Sequence, residues 1–360
     1  MTTKKLLLKK QKILIIEDED EDEENDITSR PRVIKNIDKS IPWIEKYRPK
    51  NIRDVLIDKN TMAKVKRIMI DKDMPNIIIV GVPGVGKTTT IQCIVRCLLG
   101  KHRDEGVLER NASDARGIKS VNESIINFCK KKLDIKQLPN RKYATHKIIV
   151  LDEADNMTKK AQQLINNLMG KFYSSTRFAF TCNNTSKIIE AIQSRCIIFR
   201  YRRLTNEQIT KRLLEICTIE NVPYTDKGLK ALVSTANGDM RHAINNLQLT
   251  YYGYKKITVK NVYTLCDKPH PHDIKKIFMA CIKKDFINAL SYLNVLFDKG
   301  YSNYDISLNM KNTIKTLKIN ETPKLLCIDI INQTLLSISK GIDSKLQLTG
   351  CIAELCMAIP

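Results

Sequence analysis

The glycine-rich octapeptide Gly81–Thr88, which reads GVPGVGKT, constrains this chain more than any other feature of its sequence. The apolar run Ile77–Val80 precedes it, and a helical pattern follows it to about Leu99. Glycines allow such a turn to direct its backbone N–H groups inward, and the N-terminus of the following helix adds positive potential. The pattern G-x-x-x-x-G-K-[ST] between a strand and a helix therefore predicts a phosphate-binding loop.

This loop predicts a site for a nucleoside triphosphate with Mg²⁺. We expect Lys87 to reach the β- and γ-phosphates and Thr88 to bind the metal ion. The expected nucleotide-contacting residues of the loop and the first helical turn are Gly81, Val82, Pro83, Gly84, Val85, Gly86, Lys87, Thr88 and Thr89.

A second motif lies about 65 residues further along the chain, where the apolar run Ile148–Leu151 ends in Asp152 and Glu153. An acid at the end of a strand can hold Mg²⁺ directly or through water, and we expect Asp152 to do so together with Thr88. Glu153 can accept the proton of the attacking water. A solvated acidic turn is the alternative, but the spacing from the phosphate loop favours a site for nucleotide hydrolysis. Phosphate loops serve many functions, so the two motifs do not name the task.

Short apolar runs alternate with amphipathic stretches between Pro42 and about Tyr201. Strands that alternate with helices indicate a parallel sheet covered on both faces. The five predicted strands are Ile77–Val80, Val107–Arg110, Ile148–Leu151, Phe178–Thr181 and Cys196–Phe199.

The remainder of the chain has helical patterns only. Thr205 and Gln208 have the spacing of a capping box at the start of a helix. The turn-rich segment Asp267–His272, DKPHPH, is typical of a linker. We therefore predict four segments, namely an acidic and basic arm at 1–40, an α/β domain at 41–203, a small helical domain at 204–268 and an all-α domain at 269–360. Nine of the ten residues at 17–26 are acidic, a pattern that indicates a disordered, solubilising arm.

Charge and cysteine usage restrict the class of protein. Residues 41–360 carry 52 basic and 29 acidic side chains, which favours a nucleic acid partner, although a lysine-rich coding bias would give the same excess. The 11 cysteines include no C-x-x-C pair, so we expect reduced thiols in an intracellular protein rather than disulfides or a zinc site. No stretch of about 18 apolar residues is present, and we expect no membrane span.

Further motifs accompany the nucleotide site in a specific order. They are Trp43–Pro49 (WIEKYRP), Asn111–Ile118 (NASDARGI), Cys182–Asn183, Ser194–Cys196 (SRC) and Gly238–Arg241 (GDMR). In this order and spacing the chain resembles replication factor C small subunits, the AAA+ ATPases of the sliding-clamp loader, from about Pro42 to Gln248.

The resemblance implies a fold and partners. The fold is an α/β AAA+ P-loop NTPase domain with a parallel five-stranded sheet, followed by a small helical lid domain and an all-α collar domain used for oligomerisation. The expected partners are the other clamp-loader subunits, in a hetero-pentamer, with a sliding clamp and primer–template DNA. The expected location is the nucleus of a eukaryotic cell or the replication site of a large DNA virus.

The resemblance also implies roles for single residues in ATP hydrolysis. Asn183 would orient water or contact the γ-phosphate, and Arg241 would sense the nucleotide from the lid. Arg195 would be an arginine finger that enters the site of a neighbouring subunit rather than its own. The residues expected near the adenine are Ile44, Arg48, Val55 and Leu56.

The surfaces for DNA and clamp rest on the same resemblance. The DNA-binding candidates are Arg116, Lys119, Lys159 and Lys160. Phe128, Leu133 and Leu138 are candidate exposed contacts to the clamp, with a flexible lysine-rich insertion as the alternative. Asn166 and Asn167 stand where the family usually has a basic pair, so contacts made by that pair are not expected.

The function expected from the sequence is ATP-driven loading of a sliding clamp onto primer–template DNA. Two alternatives stay open. One is another AAA+ DNA motor, such as a branch-migration helicase, and the other is a structural subunit of the loader that does not hydrolyse ATP.

Overall fold

The computed structural model describes residues 41–112, 118–131, 143–266, 268–317 and 319–358. Within these ranges the chain forms two compact units, one of residues 41–222 with Leu232–Gln248, and the other of Pro223–Ala231 with residues 249–358. Across the described ranges, no helix combines the length and the apolar character that a membrane crossing needs. The four-segment division stays a prediction.

A five-stranded parallel sheet forms the centre of the first unit. Its strands are β1 (Ile77–Val80), β2 (Val107–Asn111), β3 (Lys147–Asp152), β4 (Thr176–Cys182) and β5 (Ile197–Arg200). The strand order is β2-β3-β4-β1-β5, and every neighbouring pair is parallel. All four residues of the interior strand β1 are buried, as a parallel sheet covered on both faces requires. The predicted sheet is confirmed.

Helices cover this sheet and continue the chain beyond it. Those that lie within the first unit are α1 (Trp43–Lys46), α2 (Lys59–Asp71), α3 (Lys87–Leu99), α4 (Arg103–Gly106), α5 (Ile118–Lys130), α6 (Lys159–Lys171), α7 (Glu190–Gln193) and α8 (Asn206–Glu220). Two further helices, α9 (Asp226–Ala236) and α10 (Met240–Tyr254), contribute residues to both units. The predicted capping box is present, because Thr205 and Gln208 exchange hydrogen bonds at the start of α8.

Two apolar cores lie on the two faces of the sheet. Successive strand residues point to opposite faces, so Ile77 and Ile79 of β1 belong to one core, and Ile78 and Val80 belong to the other. Helix α3 packs into the first core, and helices α5 and α6 pack into the second. The sheet is therefore held between helices, and its strand ends remain available for polar groups.

The second unit is helical in the described residues apart from one β-bridge between Tyr224 and Ile257. Its remaining helices are α11 (Val259–Leu265), α12 (Pro271–Ile282), α13 (Phe286–Asp298), α14 (Asn303–Thr316), α15 (Glu321–Ser339) and α16 (Lys345–Ala358). Helices α12 to α16 share one apolar core. The predicted linker Asp267–His272 ends earlier than expected, because Pro271 begins α12 and His270 caps it. Proline is favoured at a first helical position, where no N–H group is needed.

Candidate nucleotide site

The glycine-rich loop connects the end of β1 to the start of α3. Gly84 and Gly86 adopt positive φ angles of 71° and 91°, a conformation that residues other than glycine rarely adopt. A Cβ atom at Gly84 would lie 1.7 Å from Oδ1 of Asp239, which precedes α10. The loop therefore adopts a turn that requires glycine at these two positions.

Lys87, the first residue of α3, extends its ammonium group back over the loop. It donates hydrogen bonds to the carbonyl oxygens of Gly81 at 2.6 Å and Val82 at 3.0 Å, and to Oδ1 of Asn183 at 2.8 Å. Burial lowers the pKa of Lys87, although the negative charge of Asp152 works in the opposite direction. The ammonium group is thus held at the loop by neutral acceptors, which a phosphate oxygen can replace.

Thr88 and Asp152 place two hard oxygen ligands side by side. Thr88 Oγ1 donates to Asp152 Oδ2 at 3.0 Å, and the hydroxyl of Thr181 donates to Oδ1 of the same carboxylate. Mg²⁺ prefers a few protein oxygens together with phosphates and water. These two residues fit the expected metal site, because both oxygens lie at the edge where the loop meets β3.

Glu153 and Asn183 follow the ends of the neighbouring strands β3 and β4. Glu153 has a left-handed backbone with φ of 54°, and its Oε2 accepts a hydrogen bond from Asn156 at 3.2 Å. The backbone N–H of Asn183 donates to Asp155 at 3.3 Å, and its side chain accepts from Lys87. Parallel strands thus bring an acid and an amide to the edge of the sheet where the loop lies.

A cavity of about 420 Å³ opens beside the loop. Its lining includes all four residues expected near the adenine, together with loop residues and residues of α8 and α10. The residues that line it are Ile44, Glu45, Tyr47, Arg48, Pro49, Asp54, Val55, Leu56, Gly84, Val85, Gly86, Thr88, Thr89, Asp152, Leu204, Arg212, Met240, Arg241 and Ile244. A smaller depression around Lys87 is lined by Pro83, Glu153, Asn183 and Arg241 among others.

Three arginines line the cavity, and they differ in whether a carboxylate pairs with them. Arg48 pairs with Glu45, and Arg212 pairs with Glu215. Among the described residues, the Arg241 guanidinium has no hydrogen-bond acceptor and lines both the cavity and the depression around Lys87. Arg241 is therefore available to a phosphate, whereas the other two are held by carboxylates. Arg212 was missed in the sequence because it lies in α8 outside any motif.

Several residues expected at the nucleotide site do not line its cavity. Gly81 and Val82 contribute carbonyl groups to Lys87 rather than lining the cavity. Arg195 is exposed just before β5, and it lines neither the cavity nor the depression. This arrangement leaves its side chain outside the chain's own nucleotide site.

The expected DNA and clamp residues are partly described. Lys159 and Lys160 are exposed in the first turn of α6. Arg116, Leu133, Leu138 and the side chain of Lys119 lie outside the described residues.

Phe128, a candidate exposed contact to the clamp, is only partly exposed. Its side chain is half-buried and packs against the core beside α5 and α6. The ammonium group of Lys147 also lies over its ring, 5.4 Å from the centroid.

Comparison with known proteins agrees with these features. The model of the ATPase family associated with various cellular activities (AAA) matches residues 77–204, and the model of the replication factor C C-terminal domain matches residues 269–354. The solved Holliday junction branch migration motor RuvB of Thermotoga maritima is 14% identical and covers 65% of this chain and 79% of its own, with a TM-score of 0.49. That likeness is too low to bear on function.

Relatives match over most of the chain. Replication factor C subunit 4 of Schizosaccharomyces pombe is 45% identical and covers 88% of this chain and 91% of its own length. Replication factor C subunit 4 of Saccharomyces cerevisiae is 44% identical and covers 89% of this chain and 97% of its own length. The replication factor C small subunit of Aeropyrum pernix is 34% identical, with 88% and 95% covered. With its parallel AAA sheet and helical C-terminal unit, this chain belongs to the replication factor C small-subunit family.

Proposed function

We propose that this chain is an ATP-hydrolysing small subunit of a clamp loader, which uses ATP to open a sliding clamp and load it onto primer–template DNA. The observation that carries the proposal is the convergence of Lys87, Thr88, Asp152, Glu153 and Asn183 at one edge of the sheet, where Arg241 lines the same depression. Intact hydrolytic groups favour an active subunit over a purely structural one.

The residues of the site have complementary tasks. Lys87 exchanges its carbonyl acceptors for the β- and γ-phosphates, and Arg241 contacts the γ-phosphate from α10. Mg²⁺ held by Thr88 and Asp152 would offset the negative charge of the phosphates. Glu153 accepts the proton of the attacking water, and Asn183 orients that water.

The exposed position of Arg195 supports a role in a neighbouring site. A guanidinium outside its own nucleotide cavity can approach the γ-phosphate held by an adjacent subunit and stabilise transition-state charge there. The active site is then completed only in the assembled hetero-oligomer. The nuclear or viral location stays a prediction.

DNA and the clamp are the remaining proposed partners. The exposed pair Lys159 and Lys160 supports contact with DNA phosphates, which positions a protein without reading sequence. Such contacts allow a loader to act at any primer–template junction.

A reconstituted loader containing this chain tests the proposal. Its ATP turnover should rise when clamp and primed DNA are added, and Lys87→Ala in this chain should abolish the share contributed by its site. Inactivating the phosphate-loop lysines of all other subunits isolates that share. If wild-type protein in this setting binds ATP without turnover, the chain is a structural subunit and the proposal is wrong.

A further inference from the structure

The short segment Trp43–Tyr47, here called the N-terminal turn, is attached to α8 and α10 by side-chain hydrogen bonds. It comprises α1 and the residue after it. Residues of this turn and the two that follow it line the nucleotide cavity, namely Ile44, Glu45, Tyr47, Arg48 and Pro49. The N-terminal turn thus forms one wall of the cavity, and hydrogen bonds from α8 and α10, rather than from the sheet, fix its position.

Glu220, the last residue of α8, makes two of these attachments. Its Oε1 accepts hydrogen bonds from the Tyr47 hydroxyl and from the Lys46 ammonium group, both at 2.6 Å. Burial acts to raise the pKa of Glu220, but these two hydrogen bonds outweigh it and leave the pKa below its usual value. Glu220 itself does not line the cavity.

Two further hydrogen bonds attach the backbone of the turn. Arg212 of α8 donates to the carbonyl oxygen of Tyr47 at 2.8 Å. The backbone N–H of Trp43 donates to Oε1 of Gln248, in α10, at 2.9 Å. Gln248 does not line the cavity either. Helix α10 also carries Arg241, the proposed contact to the γ-phosphate. One helix therefore bears both this arginine and a hydrogen-bond partner of the cavity wall.

A few residues after the N-terminal turn, the chain packs against the core of the sheet. Ile52 and Val55 are buried in the core that contains Ile77 and Ile79 of β1. Arg48 and Pro49, which line the cavity, lie between the part attached to α8 and α10 and the part buried beside the sheet.

We propose that Glu220 and Gln248 are positioning residues, which hold the N-terminal turn against α8 and α10 so that the cavity wall is formed before ATP binds. This rests on the proposed ATP site. Neither side chain touches the cavity, so each acts through the turn. A wall formed in advance lowers the ordering cost that the nucleotide would otherwise have to offset.

The experiment compares Glu220→Ala and Gln248→Ala with matched controls in the full-length chain. The controls are Glu207→Ala on α8 and Asn245→Ala on α10, both exposed positions. Titration calorimetry with ATP and Mg²⁺ gives the dissociation constant. Because the chain contains a single tryptophan, Trp43, quenching of its fluorescence by acrylamide reports on the turn itself.

We expect each test variant to raise the dissociation constant for ATP about three- to tenfold, the effect of losing one or two hydrogen bonds. Trp43 should become more accessible to acrylamide without nucleotide and regain protection at saturating ATP. Glu220→Gln, which keeps an acceptor for Tyr47, should restore part of the affinity and serves in place of Glu220→Ala if that variant does not fold.

Two results would overturn the proposal. One is an unchanged dissociation constant in both test variants, which would make the contacts merely structural. The other is an equal loss of affinity in the control variants. If wild-type protein itself binds no ATP, the proposed function fails instead, so the two failures are distinguishable.

Discussion

The hydroxyl of Thr88 donates a hydrogen bond to the carboxylate of Asp152 at 3.0 Å, although 64 residues separate the two in the chain. Thr88 lies in the first turn of α3, and Asp152 ends β3. The contact joins the phosphate loop to the acidic motif, and it places both proposed metal ligands at one point.

Thr88→Ala should lower ATP turnover in the assembled loader at least about 100-fold, because one oxygen ligand of the metal is lost. Thr88→Ser keeps the hydroxyl and should retain most activity. Turnover measured across a Mg²⁺ titration checks this, since the alanine variant should need more Mg²⁺. An unchanged Mg²⁺ dependence in Thr88→Ala would contradict the assignment of Thr88 as a ligand.

Arg195→Ala should lower turnover at the neighbouring site about 1,000-fold without weakening ATP binding by this chain. The two measurements are ATP turnover of the reconstituted loader and ATP affinity of the isolated chain. Arg202→Ala, at another exposed arginine, is the control. A loss of ATP affinity in the isolated Arg195→Ala chain would place this residue at its own site and refute action in trans.

The double variant Lys159→Ala/Lys160→Ala should weaken DNA binding by the assembled loader and reduce its dependence on salt. Loss of two phosphate contacts lowers the slope of log affinity against log salt by about 2. Lys64→Ala/Lys66→Ala makes the same charge change at exposed positions of α2. Equal salt slopes for the two double variants would show that only net charge matters.

Lys147→Met should destabilise the first unit by about 2 kcal/mol, because a buried ammonium group caps α5. Lys147 is 2% exposed and donates to the carbonyl oxygens of Phe128 and Cys129, both at 2.7 Å, and to that of Lys131. Urea unfolding gives the free energy of unfolding. Lys130→Met, at an exposed position of the same helix, should have little effect, and an equal loss in both variants would argue against the cap.

The buried His146 should make stability dependent on pH in the acid range. Burial, assisted by the positive charge of Arg177, lowers its pKa from 6.5 to about 4. Between these values the unfolded chain binds more protons than the folded one, so the free energy of unfolding falls as pH decreases from about 6.5 to about 4. The loss amounts to about 3 kcal/mol.

Urea unfolding between pH 7.5 and pH 4.5 checks the contribution of His146. His146→Leu should flatten the dependence over this range, whereas His242→Leu, at an exposed histidine, should leave it unchanged. An identical pH dependence in wild type and His146→Leu would show that other groups cause the acid instability.

The order of strands and helices in the AAA region followed from local signals. Each strand is a short apolar run, and each run predicted from the sequence lies within one or two residues of an observed strand. The first core shows why this succeeded, because a strand buried on both faces, such as β1, leaves an unbroken apolar run in the sequence. The start of a helix was predicted where a capping box marks it, as at Thr205. The helix start at Pro271 was not predicted, because the turn-rich composition favoured a linker there.

The nucleotide site was only partly predictable. Lys87, Thr88 and Asp152 belong to motifs whose spacing has a chemical meaning, and parallel strands place their carboxyl ends at one edge. Arg212 and Glu220 were not predicted, because they belong to no motif and their partners, Tyr47 and Lys46, lie more than 160 residues earlier in the chain. Phe128 was expected to be exposed, but the buried ammonium of Lys147 and the adjoining core enclose it on one side.

By itself, the sequence determined the strand–loop–helix elements, the chemical groups of the site and the family to which the chain is similar. These depend on periodicity and on residues close together in the chain. Only the tertiary structure decided which distant side chains meet, such as Glu220 with Tyr47, and which charged groups are buried, such as Lys147. Contacts of that kind arise from the packing of whole elements, and no local pattern records them.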